Sequence, residues 1–358
     1  MSLLLMIIRN IFSFTASIII LAILNFSYTT KSNSIENIIE YHSEEEGILS
    51  LMYHRFNEPE YPSTNIQMEQ FKKHIEIIQK LNYDFYNPIS IQNTFKNPQK
   101  KKKILLTIDD GFLSFYQEAW PYLKKNKIPF ILFISTEPVG RTGYMTWEQI
   151  KEIDAEQFAF IGHHSHTHEY LIEEDNSYFI SDIEKANKIF LEKLNYIPNL
   201  YSYTFGEYSK FMKDYISRNF DFAFGQHSGV IDVTKDKFEL PRFPINENYG
   251  QIERFTSIIN SYPLQYKSLL PEEKKLTNGN NPPEFKVEFF EEQKNIKNIN
   301  CFSNEGGIWE KSDIKISTNV LTINFIKPFI PRTGRLNCTL NEDNKLKWFG
   351  TQFVILEN

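Results

Sequence analysis

The chain has 358 residues, 41% of them hydrophobic, which is enough for a sizeable core and long for one domain. Its formal charge of −6 speaks against nucleic acid as a partner, because phosphate binding needs a basic surface. With 31 Phe and 19 Tyr the core is expected to be strongly aromatic.

Residues 1–30 read as a signal peptide or an uncleaved signal anchor. A single early charge, Arg9, precedes the uncharged stretch Ile11 to Tyr28. The expected location is therefore exported, periplasmic or envelope-associated, with an N-terminal membrane anchor if the segment is kept. Residues 31–46 form a polar linker. The two cysteines, Cys301 and Cys338, form an even pair late in the chain, and in an exported protein such a pair favours a disulfide over two free thiols.

From residue 47 a strand–helix rhythm begins. Gly47 to Tyr53 is a first strand ending at His54, and Asn65 to Leu81 has helical spacing of Met68, Phe71, Ile75 and Ile78. Lys103 to Ile108 is a buried strand that runs into Asp109-Asp110-Gly111. Phe115 to Asn126 is a helix, Phe130 to Ile134 a strand, and Thr146 caps a further helix. Phe158 to Ile161 feeds Gly162-His163-His164-Ser165-His166-Thr167-His168. Ile180 to Leu194 and Phe211 to Arg218 are helical, while Leu200 to Phe205, Phe220 to Phe224 and Glu239 to Phe243 are strands. About seven strands alternating with helices predict an α/β barrel over 47–262, with the strand ends gathered at one mouth. Residues 263–284 read as a linker, and 285–358 as a small all-β sandwich, because the pattern there turns to period two.

Chemistry concentrates at two strand ends. The glycine after Asp109-Asp110 allows a sharp turn, so the two carboxylates need not point to opposite faces. The segment 162–168 holds four of the eight histidines. His164 and His168, four apart, can face one ion, but His163 and His166 lie in the same cluster and spacing alone does not choose the pair. Two histidines and a carboxylate would leave positions open for water and substrate, as catalytic rather than structural metal sites do.

Thr107-Ile108-Asp109-Asp110-Gly111 resembles the Thr-Phe-Asp-Asp-Gly motif of the polysaccharide deacetylases, the NodB homology family (carbohydrate esterase family four). His164-Ser165-His166-Thr167-His168 is similar to the His-Ser/Thr-x-x-His motif of that family, in the same order. The resemblance covers about residues 47–262 and implies a distorted (β/α)7 barrel. It further implies that Asp109 is the catalytic base. Asp110, His164 and His168 would hold one divalent metal, Zn²⁺ or Co²⁺, and the substrate would be an N-acetylated polysaccharide that releases acetate.

Later motifs depart from the family pattern. Tyr201 to Tyr208 resembles the third motif, but Thr204 stands where proline is usual and no arginine precedes it. Arg242 is the candidate to tether Asp109 instead. With no late Leu-x-His motif, His227 is the candidate acid, or else a histidine capping its loop. His54 at the end of the first strand, Tyr203 and Tyr208 are candidates for lining the mouth, with packing as the alternative for each. Two further readings stay open: a barrel that binds polysaccharide without turnover, and a hydrolase of another amide or ester on a sugar.

Overall fold

In the computed structural model, which describes residues 47–330 and 332–356, seven apolar runs form one parallel sheet. They are β1 (Ile48–Tyr53), β2 (Lys103–Ile108), β3 (Phe130–Ile134), β4 (Ala159–His163), β5 (Leu200–Ser202), β6 (Phe222–Phe224) and β7 (Phe243–Pro244). Their order is β7-β1-β2-β3-β4-β5-β6, and the short strand Asp84–Phe85 also pairs with β2. Burial on both faces explains why β1, β2 and β3 are nearly unbroken apolar runs rather than alternating ones. The segment 1–30 expected as a signal or anchor, and the linker 31–46, lie outside the described residues. Among the described residues, no helix is long and apolar enough to cross a membrane.

Parallel strands require crossovers, and these are helical. The main helices are α1 (Met68–Lys80), α2 (Trp120–Asn126), α3 (Trp147–Asp154), α4 (Asn176–Leu194), α5 (Lys210–Asn219) and α6 (Ile252–Ile259). Helix α1 buries Met68, Phe71, His74, Ile75 and Ile78, the i, i+3, i+4 stripe visible in its sequence. His74 occupies a core position, stacked on Phe255 of α6 at 3.9 Å. Thr146 starts α3 with a reciprocal capping box to Gln149, and Asp175 caps α4 by accepting from the Tyr178 N–H.

Closure comes from a short segment. Leu240 bridges Phe224 of β6, while β7 pairs with Leu51 and Met52 of β1, so residues 240–244 join the two sheet edges. The expected strand Glu239 to Phe243 is in fact only Phe243–Pro244, because the residues before it cross between edges instead of running along one.

The C-terminal part is all-β. A six-stranded sheet contains β8 (Tyr262–Pro263), β10 (Lys275–Leu276), β12 (Asn300–Ser303), β13 (Glu310–Lys311), β16 (Arg332–Glu342) and β17 (Lys345–Ile355). A four-stranded sheet contains β9 (Ser268–Leu270), β11 (Phe285–Glu288), β14 (Ile314–Ser317) and β15 (Val320–Ile323). Phe285, Val287 and Leu321 of one sheet share a core with Leu336, Leu340 and Phe353 of the other. Cys301 and Cys338 sit directly opposite on β12 and β16 and are joined by a disulfide. Residues 263–284 differ from the expected linker: they supply β9 and β10, which pair into the two sheets despite their proline-rich surroundings. The sandwich packs directly on the barrel, with the Trp348 ring 5.1 Å from that of Phe243, edge to face.

Candidate active site

The strand β2 carries its ladder one residue past its end, since the Asp109 N–H donates to the Tyr53 carbonyl at 2.9 Å. The chain then turns abruptly, with Asp110 and Gly111 both left-handed at φ 75° and 71°. Glycine accepts that conformation freely, whereas Asp110 adopts it at a cost. The turn separates the two carboxylates. Asp109 points into the barrel and Asp110 toward the mouth.

Asp109 is fully buried against Arg242, itself fully buried. The guanidinium grips both carboxylate oxygens, Nη1 to Oδ1 at 2.7 Å and Nη2 to Oδ2 at 2.8 Å. Its remaining hydrogens go to Thr107 Oγ1 (3.1 Å), Ser202 Oγ (2.8 Å) and the Gly225 carbonyl (2.9 Å). Every arm of Arg242 is thus fixed, which makes Asp109 a rigidly oriented carboxylate. Burial alone would raise the Asp109 carboxyl, but Arg242 and the nearby His164 together hold it below the usual carboxylate range.

Strand alternation sorts the histidines. His163 faces the helices, 5.1 Å from the Phe190 ring, and burial pushes it down to about 3. His166 bonds the Thr136 hydroxyl through Nδ1 at 2.7 Å. His164 and His168 turn to Asp110, their Nε2 atoms 3.3 and 2.9 Å from its Oδ1. One ligand atom from each of these three residues lies within 4.8 Å of the others.

This trio fits a divalent cation. His164 donates from Nδ1 to the Ser202 carbonyl at 2.7 Å, which leaves its Nε2 as the lone-pair nitrogen facing the cluster. Both His164 Nε2 and Asp110 Oδ1 are buried without a hydrogen-bond partner among the described residues. Such orphaned acceptors are costly unless something cationic sits between them. Burial would raise the Asp110 carboxyl, but His168 and His164 hold it well below its ordinary value; His168 is raised because Asp110 outweighs the effect of its burial.

The other sequence candidates divide. His54 keeps some exposure and feels Asp110, Asp109, Arg242 and His164; burial lowers its pKa more than the carboxylates raise it. His227 points elsewhere. Burial pushes it down to about 4, and the charges closest to it electrostatically are Glu239, Lys274 and Arg242. Tyr203 and Tyr208 are buried, their hydroxyls spent on the Phe238 carbonyl (3.1 Å) and the Glu239 carboxylate (3.0 Å). Both pack the wall between β5 and the segment before β7 and present no free edge to a ligand.

Several further side chains shape the mouth and its loops. Buried Asp182 of α4 accepts from the His166 and Thr167 backbones at 2.7 and 3.0 Å, which sets the loop that carries His168. Phe205, left-handed at φ 57°, lays its ring 4.8 Å from His168 and stacks on Tyr170 at 4.1 Å. Arg332 of β16 covers the Tyr170 ring at 3.6 Å and bonds Glu207 and Glu173. Across the mouth, Tyr144 and Phe112 lie 5.1 Å apart with Arg55 stacked 3.5 Å from Phe112. The Asp182 and Arg332 side chains come from outside the motifs, and local sequence carries no sign of their part in the site.

The barrel is similar to several known proteins. The family model described as polysaccharide deacetylase matches residues 96–221. Bacillus subtilis (strain 168) YxkH, whose name assigns it provisionally to the polysaccharide deacetylases, is 26% identical over 162 residues. That match covers 45% of this chain and 57% of YxkH, so the chain spans little more than half of that relative. The Streptococcus pyogenes deacetylase PplD, solved in complex with acetate, superposes with a TM-score of 0.54 at 21% identity over 60% of this chain and 98% of that one. IcaB from Ammonifex degensii gives 0.51 at 25% identity over 60% and 97%. The described β-sandwich lies beyond residues 96–221, the segment that the family model matches.

Proposed function

We propose that this protein, whose barrel resembles the polysaccharide deacetylases, hydrolyses N-acetyl groups on an N-acetylglucosamine-containing polysaccharide and releases acetate. One observation carries the reading. Asp109 is locked by Arg242 in an ionised state and stands beside the Asp110–His164–His168 trio without belonging to it. A site that only bound metal and glycan would need the trio and not an adjacent, tethered base. This favours turnover over the binding-only alternative.

Asp110, His164 and His168 would hold the metal, Zn²⁺ or Co²⁺ by their nitrogen and oxygen donors. When bound, such an ion lowers the pKa of water toward ~7 and polarises an amide carbonyl. Asp109 accepts a proton from the water that attacks the acetyl carbon. Arg242 keeps the Asp109 carboxylate in position as its charge is neutralised. The amine takes up a proton as the carbon–nitrogen bond breaks, and His54, half-buried one residue past β1, is the candidate to pass it on. It takes the role expected for His227, which is buried with Glu239 and Lys274 among the charges acting on it. The products are acetate and a free amino sugar. The Cys301–Cys338 disulfide favours an oxidising compartment, consistent with an exported protein acting on an envelope glycan.

The test is acetate release from N-acetylglucosamine oligomers by purified protein, before chelation, after it, and after Zn²⁺ or Co²⁺ is returned. Activity should vanish and come back. Metal-independent release, or none on any N-acetylated sugar, would refute the proposal.

A further inference from the structure

Beside the mouth, where the barrel meets the six-stranded sheet, lies a cleft of about 470 Å³. We propose that this cleft binds a flanking stretch of the polysaccharide, and that the stretch carries anionic groups. The inference rests on the deacetylase reading for the presence of a glycan, but its own basis is the composition and position of the cleft.

The walls are aromatic and unusually open. Trp309 is 48% exposed, Phe302 44% and Tyr249 44%, while Trp348 lines the floor. Large apolar side chains gathered around one concave surface, with a few placed polar groups, are typical of ligand sites rather than of scattered surface residues. Rings of this kind offer flat apolar faces to the C–H faces of sugars, and Asn337 fixes Trp348 by accepting its indole N–H at 3.1 Å.

The charge is one-sided. Arg254 and Arg335 both line the cleft, and no aspartate or glutamate is among the described residues that line it, although the chain as a whole carries −6. Arg254 is pinned by donating to the Tyr249 and Pro244 carbonyls. The Arg335 Nε is buried with no hydrogen-bond partner among the described residues. A guanidinium held this way has a planar edge suited to a carboxylate or a phosphate oxygen.

Position links the cleft to catalysis. Its barrel wall is Gln226 to Ser228, following β6, and Pro244 of β7. Gln226 packs so tightly on Gly206 that a Cβ there would lie 2.5 Å from its backbone nitrogen. Gly206 follows Phe205, whose ring touches His168. On the other side Pro244 pairs with Met52, two residues before His54. A glycan with one residue at the trio can therefore continue over this shared wall into the cleft.

The experiment uses the full chain carrying Asp109→Asn, so that binding is read without turnover. Three hexasaccharides are titrated calorimetrically: N-acetylglucosamine alone, N-acetylglucosamine alternating with glucuronate, and N-acetylglucosamine joined through phosphates. The anionic hexamers should bind about tenfold more tightly than the neutral one, and the stronger of the two identifies carboxylate or phosphate as the recognised group. Arg335→Gln should bring that preference to within about twofold, and Trp309→Ala should weaken all three by about tenfold. With Asp109 intact, both variants should keep more of the unaltered rate of acetate release on a disaccharide than on the anionic hexamers. Equal binding of neutral and anionic hexamers, or a preference that survives Arg335→Gln, would overturn the proposal. An absence of disaccharide turnover in the unaltered chain would instead count against the deacetylase reading, because the binding arms do not depend on it.

Discussion

Asp109 and Arg242 are 133 residues apart in sequence and fully buried together. Breaking a buried pair by removing one member leaves an unpaired charge and costs on the order of 3–5 kcal/mol. Arg242→Met should therefore lower thermal stability. It should also move the acid limb of the kcat/KM profile to higher pH, with the sign fixed as follows. Burial raises the Asp109 carboxyl and Arg242 lowers it, so loss of the cation leaves burial opposed only by the nearby histidines and the base protonates at a higher pH. Arg242→Lys, which keeps the charge without the fork, should restore part of the shift. An acid limb unmoved in Arg242→Met would show that the pair is structural only. Asp109, Asp110 and Arg242 were all legible as candidates in the sequence, the first two because an apolar strand ended at them. His227 was misleading for a physical reason: a histidine between glycines in a strand-end loop looks available, but here the loop folds back under the sandwich and buries it beside Glu239.

At the scale of elements, strand ends place the site while the connections shape it. The alternation of β4 separates His163 from His164, and the strand–helix rhythm that predicted this strand was readable from periodicity. What periodicity cannot show is which distant element presses on a loop. Arg332 of β16 ties Glu207 and Glu173 and stacks on Tyr170, which stacks on Phe205, which abuts His168. The C-terminal sandwich thus braces the loop that carries His168, one of the three proposed metal ligands. Neighbours that orient ligands affect metal affinity by about 10–100-fold. Arg332→Ala should weaken Zn²⁺ binding within that range, measured by competition with a chromogenic chelator. Affinity within about twofold of the unaltered protein would mean that the loop holds its shape without the sandwich.

Across the whole molecule, composition anticipated an aromatic two-part chain, and the α/β barrel with an all-β C-terminal part follows that division. The segment 263–284 was harder to read. Its prolines and Gly279 mark turns, but β9 and β10 are only three and two residues long, too short to announce themselves, and are held by pairing with distant β11 and β17. The described residues form one compact unit in which the sandwich packs on the closing edge of the barrel, so the site is best tested in the full chain. The central claim is a division of labour between adjacent carboxylates, Asp109 for the proton and Asp110 for the metal. The most direct measurement is metal content alongside acetate release in Asp109→Asn and Asp110→Asn. The account predicts that Asp109→Asn keeps its metal and loses turnover, whereas Asp110→Asn loses both. Acetate release undiminished in Asp109→Asn, or metal lost from it but kept by Asp110→Asn, would contradict the account.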